Sequence, residues 1–261
     1  MGQTVFHDLI SISRWISQYL PLSDGVPLDT AINPFKRQGL AQVKFTPAQG
    51  KHWGILAKTG QGKTTLDKAL LKAHQQKYPY INTYILDSKK LGDFSALDGR
   101  ITRSYEPPPV LTGIGQKQIW QPLEDSLDAY DRYFRHILEY GKPAVILVDE
   151  SKNIRVGNRV PKGYELILSQ GRLPGISVIT NYQEVYESLR QGLSQSTHFI
   201  AFNVDNPYDL RVAKQKLRVT GDGGLPLVGS HSFMYINSDT SGRPMLFRHY
   251  RDFIQYWLNG R

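Results

Sequence analysis

From Trp53 to Thr65 the chain runs Trp-Gly-Ile-Leu-Ala-Lys-Thr-Gly-Gln-Gly-Lys-Thr-Thr, an apolar strand that feeds a glycine-rich turn and then opens a helix. The pattern requires a buried strand, a turn whose backbone bends as only glycine bends readily, and a helix N-terminus aimed into that turn. Such a turn is a phosphate cradle. Gly60 and Gly62 let successive N–H groups converge, Lys63 can reach terminal phosphates, and Thr64 offers a hydroxyl to Mg²⁺. Thr59, Gly60, Gln61, Gly62, Lys63, Thr64 and Thr65 are therefore the expected nucleotide-binding residues. The usual pattern begins with glycine where Ala57 stands, and alanine serves there provided the loop entry does not need positive φ.

A second segment, Ala144-Val145-Ile146-Leu147-Val148-Asp149-Glu150, is a continuous apolar run ending in two carboxylates, as in a buried parallel strand. Open α/β sheets place ligands at such C-terminal strand ends. Asp149 is expected to hold the water shell of magnesium and Glu150 to polarise an attacking water.

The length of 261 residues suits one large α/β domain with a modest appendage. With 32 Lys and Arg against 23 Asp and Glu, the net charge of +9 favours a polyanionic partner. There is no cysteine, so neither disulfides nor thiolate metal sites contribute, and the chain reads as intracellular. No apolar run is long enough to span a bilayer, and the seven histidines lack metal-ligand spacing.

Residues 5–20 place Phe6, Leu9, Ile12, Trp15, Ile16, Tyr19 and Leu20 at helical spacing, which predicts an amphipathic helix that packs on the domain, docks a neighbouring subunit or lies on a membrane surface. A loop-rich connector follows to residue 49, with one short strand around Val43 to Phe45. The core, residues 50–220, alternates strands and helices, which predicts a mainly parallel sheet with helices on both faces. Strands are expected at 53–57, 81–86, 118–120, 144–150, 176–180 and 198–204, and helices at about 63–77, 123–140, 160–170, 183–192 and 207–217. Residues 221–261 are expected to form a β-hairpin and tail of the same domain, with Ser232 to Asn237 pairing Met245 to Tyr250.

A further strand, Ile81 to Leu86, sits between the phosphate loop and the Asp-Glu strand, and glutamate directly follows aspartate. Both features resemble the RecA-like, additional-strand, catalytic-glutamate division of P-loop ATPases. The run Gly171-Arg172-Leu173-Pro174-Gly175-Ile176-Ser177-Val178-Ile179-Thr180-Asn181-Tyr182-Gln183 resembles the signature of the FtsK/HerA superfamily, in which an arginine precedes Gly-Ile by three residues and an apolar strand ends in a glutamine. Asn181-Tyr182 stands where that family more often has Ala-Thr. Tyr84 to Lys90 is similar to the family's strand ending in Asp-x-Lys, and Thr197 to Phe202 to its following strand. The family's membrane domains and large insertions are missing, so the chain most resembles the genome-packaging ATPases of tailless, membrane-containing viruses.

That resemblance implies ATP hydrolysis with Mg²⁺, coupled to translocation of double-stranded DNA through a homo-oligomeric ring, expected to be a hexamer. It implies that Gln183 senses the γ-phosphate and that Arg172, with Arg190 as the second candidate, acts across a ring interface. A helix-end salt bridge or carbonyl cap is the other reading of Arg172. Lys152, Arg155, Arg159 and Lys162, with no acidic neighbour, form either a pore loop that grips phosphates or a merely solvated loop. The implied setting is the host cytoplasm or a packaging vertex of the virion, with a capsid-vertex or membrane protein as partner. The same superfamily also serves conjugation and DNA processing. A reading from a different class is an ATP-dependent assembly or extrusion factor that does not grip DNA.

Overall fold

The computed structural model describes residues 51–89, 93–185, 190–221, 223–227, 229–240 and 242–259. The expected helix at 5–20, the strand at 43–45 and Lys90 lie outside the described residues.

Nine strands form one sheet: β1 (His52–Leu56), β2 (Asn82–Leu86), β3 (Arg100–Ser104), β4 (Lys117–Pro122), β5 (Ala144–Val148), β6 (Ile176–Tyr182), β7 (Ser196–Ala201), β8 (Phe233–Asn237) and β9 (Met245–Phe247). Their order is β3-β4-β2-β5-β6-β1-β7-β8-β9. Strands β3 to β7 of that row run parallel, and β8 and β9 close the edge antiparallel. The strand lying between the phosphate-loop strand and the Asp-Glu strand is thus β6. The Ile81 to Leu86 strand, β2, flanks β5 on the far side.

Six helices complete the described fold: α1 (Lys63–Lys77), α2 (Leu127–Tyr140), α3 (Lys162–Gln170), α4 (Arg190–Gln195), α5 (Pro207–Leu217) and α6 (Tyr250–Leu258). Helix α2 starts later than its periodicity suggests because the Ser126 side chain accepts from Ala129 N, and it stops at Gly141 with φ 65°. Strand β6 continues to Tyr182, where it pairs with Leu56; of the helix expected at 183–192, residues 183–185 are not helical, 186–189 lie outside the described residues, and α4 is described over Arg190–Gln195.

Strands β1, β2, β5 and β6 are buried along their whole length, so their side chains alternate between two separate cores. Ile146 and Val148 join Tyr133, Phe134 and Ile167 on the face covered by α2 and α3. Val145 and Leu147 join Leu66, Leu70, Phe253 and Trp257 on the face covered by α1 and α6. Helix α6 was not foreseen. Its Trp257 lies edge-on to Trp53 with centroids 6.2 Å apart, and 4.6 Å from the buried His74 of α1. Trp257→Ala is expected to cost about 3 kcal/mol of stability, read as a lowered urea midpoint at unchanged slope.

Register aligns the C-terminal ends of the central strands: Leu56 pairs with Tyr182 and Ala201, and Val148 with Leu86 and Thr180. The loops that leave those ends therefore share one edge of the sheet.

Candidate functional site

At that edge the turn after β1 adopts left-handed backbone at Gly60 (φ 82°) and Gly62 (φ 91°), and Gly62 is the residue immediately before α1. A Cβ at Gly60 would meet no heavy atom within 4 Å, so glycine is required here by conformation and not by space. Ala57 is fully buried, donates its N–H to Tyr182 O at 3.0 Å, and is not among the described non-glycine residues with positive φ, which are Asp98 and Arg218. Alanine is accommodated because the strand simply continues through it.

Lys63 is buried, 5% exposed, and donates from Nζ to Ala57 O at 3.1 Å. Burial lowers the affinity of its ammonium for the proton, while Glu150, Asp67 and Asp149 pull the other way. Thr64 is half-buried at the first turn of α1, and Thr65 is exposed. Thr59, Gly60 and Gln61 line a cleft of about 430 Å³ whose other wall is Leu225, Leu227, Gly229, Ser230 and Asn203. Next to it lies a cavity of about 180 Å³ between Gln61, Thr65, Phe202, His231 and Tyr250. The segment after residue 221 therefore supplies a wall of this pocket, with His231 Nδ1 3.3 Å from Gln61 O. The sequence carried no local motif for that wall.

Asp149 and Glu150 leave β5 at the same edge, each 1% exposed. Neither carboxylate oxygen of Asp149 has a hydrogen-bond partner among the described residues. Burial pushes its carboxyl up to about 6, against Lys89 and with Asp87 and Glu150 adding to the rise. Two buried carboxylate oxygens without a hydrogen-bond partner are oxygen donors of the kind that a hydrated Mg²⁺ takes. On these residues the ion fits.

Glu150 Oε2 accepts from Lys89 Nζ at 2.7 Å and from Gln183 Nε2 at 2.8 Å. Gln183 Oε1 in turn lies 3.5 Å from Lys152 Nζ. The structure thus brings Lys63, Asp149, Glu150 and Gln183 to one edge, and adds Lys89 and Lys152 to them. Of the basic loop, only Lys152 joins this group. Residues 151–154 form a 3-10 turn, and Val156 and Arg159 bridge antiparallel across Gly157 (φ 59°), which makes a tight exposed hairpin carrying Arg155 and Arg159. Lys162 opens α3 beyond it.

Arg172 is elsewhere. It lies in the turn before β6, at the opposite edge from Gln183, and its charge reaches His52 at the start of β1. His52 is held neutral, pushed down to about 4, chiefly by burial, with its bond to Leu168 O opposing and the charge of Arg172 adding. The seven residues of β6 separate Arg172 from Gln183 by roughly 20 Å at about 3.3 Å per residue. Within one subunit Arg172 cannot touch a nucleotide at Lys63. The neighbouring Leu173 is 96% exposed. Arg190, the other arginine considered, donates to Tyr208 Oη from Nε at 2.8 Å and stacks its guanidinium 5.6 Å from that ring.

Beneath the site, Asn181 Nδ2 donates to Asp67 Oδ2 at 2.7 Å, tying the end of β6 to α1 in a fully buried contact. The carboxyl of Asp67 is pushed up to about 8, first by burial and then by Asp149, so at neutral pH it keeps its proton. The folded state then holds a proton that the unfolded chain loses above its ordinary value of 3.8, so stability is greatest at low pH and falls as pH rises toward 8. Asp67→Asn is expected to flatten that slope and to be more stable than wild type above pH 8, by on the order of a few kcal/mol, in denaturation series from pH 5 to 9. Equal slopes for both proteins would refute the assignment.

No protein-family model and no curated protein sequence matches the chain. Solved structures do share its fold. The genome-packaging NTPase B204 of Sulfolobus turreted icosahedral virus 2, in complex with sulfate, superposes with a TM-score of 0.58 at 18% identity, over 77% of this chain and 97% of that one. The same NTPase has also been solved with ATP-γ-S, AMPPCP and AMP. VirB4 of Thermoanaerobacter pseudethanolicus superposes at TM-score 0.55 and 13% identity, covering 76% of this chain and 89% of that one. The cytoplasmic domain of the Type VII secretion ATPase EccC of Thermomonospora curvata gives 0.54 and 12%, covering 78% of this chain and 24% of that one.

Proposed function

We propose that this chain is an ATP-hydrolysing motor that assembles as a ring and drives double-stranded DNA into a viral capsid. The observation that carries the reading is the convergence of Lys63, Asp149, Glu150 and Gln183 at the edge of the sheet where the glycine turn ends. The likeness of fold to a packaging NTPase supports the choice of cargo.

In this reading the loop amides and Lys63 hold the β- and γ-phosphates, Lys63 exchanging the Ala57 carbonyl for phosphate oxygens. Thr64 and Asp149 would hold Mg²⁺, which when bound neutralises phosphate charge. Glu150 orients the attacking water and accepts its proton, and Gln183 turns toward the γ-phosphate. In this reading the exposed hairpin at 155–159 meets DNA phosphates without reading bases. Arg172, too far from its own site, is offered with Leu173 to a neighbouring subunit. A homo-oligomer is therefore needed to complete the chemistry.

The test is ATPase rate against protein concentration, with and without linear double-stranded DNA, at low and high salt. A rate that rises more than linearly with protein and is raised by DNA only at low salt is the expected result. A rate proportional to protein and indifferent to DNA would favour an ATP-dependent assembly or secretion factor, a reading to which the likeness to EccC lends weight.

A further inference from the structure

A nucleotide seated on the loop after β1 has a direction, and the order of the strands sets it. Strands β6 and β5 stand on one side of β1, and β7 and β8 on the other. Asp149, Glu150 and Gln183 all leave the β5 and β6 side, so in the proposed reaction the terminal phosphate faces that way. The nucleoside end then points toward β7 and β8.

The cavity of about 180 Å³ lies on that side. Phe202, which directly follows β7, and Phe233, which opens β8, are 2% and 0% exposed and set their rings 5.0 Å apart at 41°. Tyr250, the first residue of α6, lines it with His249, their rings 4.4 Å apart, and Gln61, Gly62 and Thr65 of the phosphate loop and α1 bound it across from them. Pockets for whole drug-sized ligands start at roughly 300 Å³, so this space suits one flat ring system and not an entire nucleotide.

The lining also says how such a ring is held. It contains no carboxylate, lysine or arginine, and each of its histidines already has one ring nitrogen on the backbone: His231 Nδ1 is 3.3 Å from Gln61 O, and His249 Nδ1 accepts from Arg251 N. Gln61 Oε1 is buried without a hydrogen-bond partner among the described residues, but Gln61 belongs to the phosphate loop and also opens on the larger cleft, which suits the sugar end of a nucleotide. Telling one base from another takes donors and acceptors set against its edge. Aromatic faces accept any base, because every base has a π-face.

We infer, resting on the nucleotide-hydrolysing reading, that this cavity is the nucleobase subsite, that Tyr250 is the ring on which the base stacks, and that adenine and guanine are taken alike, so that the substrate class is purine nucleoside triphosphates and not ATP alone. The segment beyond residue 221 supplies no catalytic group in that reading, yet it decides which nucleotide is used.

Tyr250→Ala removes the ring and Tyr250→Phe keeps it. His249 is left in place because it caps α6. Dissociation constants of ATP, GTP and inorganic tripolyphosphate, which has the phosphates without a base, are measured on the full-length proteins by titration calorimetry. Wild type is expected to bind ATP and GTP within tenfold of each other. Tyr250→Ala should weaken both by about tenfold, the scale of one lost stacking contact, and bind tripolyphosphate as wild type does. Tyr250→Phe should recover most of the loss. Nucleotide affinity unchanged in Tyr250→Ala would overturn the inference by placing the base elsewhere. An equal loss for tripolyphosphate would overturn it by making Tyr250 a support of the loop. A wild-type preference of more than tenfold for one purine would overturn recognition by stacking. A wild type that binds none of the three would instead bring down the parent reading.

Discussion

Glu150→Gln should bind ATP as tightly as wild type and turn it over about 10²–10⁴-fold more slowly, the range that a positioned general base contributes. The amide is nearly isosteric, so the packing of a side chain that is 1% exposed is kept. What it loses is the ability to accept a proton. Lys89 and Gln183, both on Oε2 in the wild type, lose a charged acceptor and gain at most a neutral one, so the substitution also tests how far ground-state binding depends on this oxygen. Single-turnover hydrolysis of radiolabelled ATP separates the two effects. Unchanged affinity with a collapsed chemical step is expected; turnover within a fewfold of wild type would remove Glu150 from the reaction. Lys63→Ala adds a contrast: it removes the ammonium beside the glycine turn, so it should fail at binding and not only at chemistry.

Arg172→Ala should retain nucleotide binding and lose roughly 10³-fold or more in turnover, the scale on which an arginine supplied in trans acts. The separation of the two ends of β6 makes the prediction sharp. An arginine about 20 Å from Gln183 in its own chain can matter to hydrolysis only through a neighbour. Mixing decides the point. Arg172→Ala lacks only what it donates, and Lys63→Ala lacks only what it binds with, so two inactive proteins combined should recover activity at interfaces where an intact arginine faces an intact phosphate loop. Recovery as the ratio of the two is varied is the expected outcome. No recovery at any ratio, with both variants still associating, would return Arg172 to the role of a charge beside His52. Arg190 is the poorer candidate because Tyr208 already holds its guanidinium.

The parts of the site that were legible in the chain are those whose chemistry is local. A glycine at positive φ before Lys63, and two carboxylates at the end of a strand buried on both faces, are statements about a few consecutive residues, and the backbone obeys them at Gly62 and after Val148. Elements without such a local signal were missed. Strand β3 is a largely exposed run with arginines at Arg100 and Arg103, so it shows no apolar alternation and exists because β4 offers it an edge. The helix expected at 183–192 does not take in 183–185, because β6 runs on to Tyr182 paired with Leu56 and Gln183 then turns to bond Glu150. Helix α6 was legible in principle, since Phe253 and Trp257 stand one turn apart, but only the groove beside α1 makes that face worth burying.

By itself the sequence determined the glycine turn, the carboxylates at the end of a buried strand and the alternation of strands and helices, because glycine conformation, helix starts and buried apolar runs act over one to five residues. Tertiary structure alone decided the order of the strands, which puts β6 and not β2 beside both nucleotide motifs. It alone decided the pocket wall built from residues beyond 221, the distance that denies Arg172 its own active site, and the lysine seated on Glu150. Each of these joins groups far apart along the chain, and their meeting is set by which strand pairs with which in a shared core, a choice that no short stretch of sequence makes.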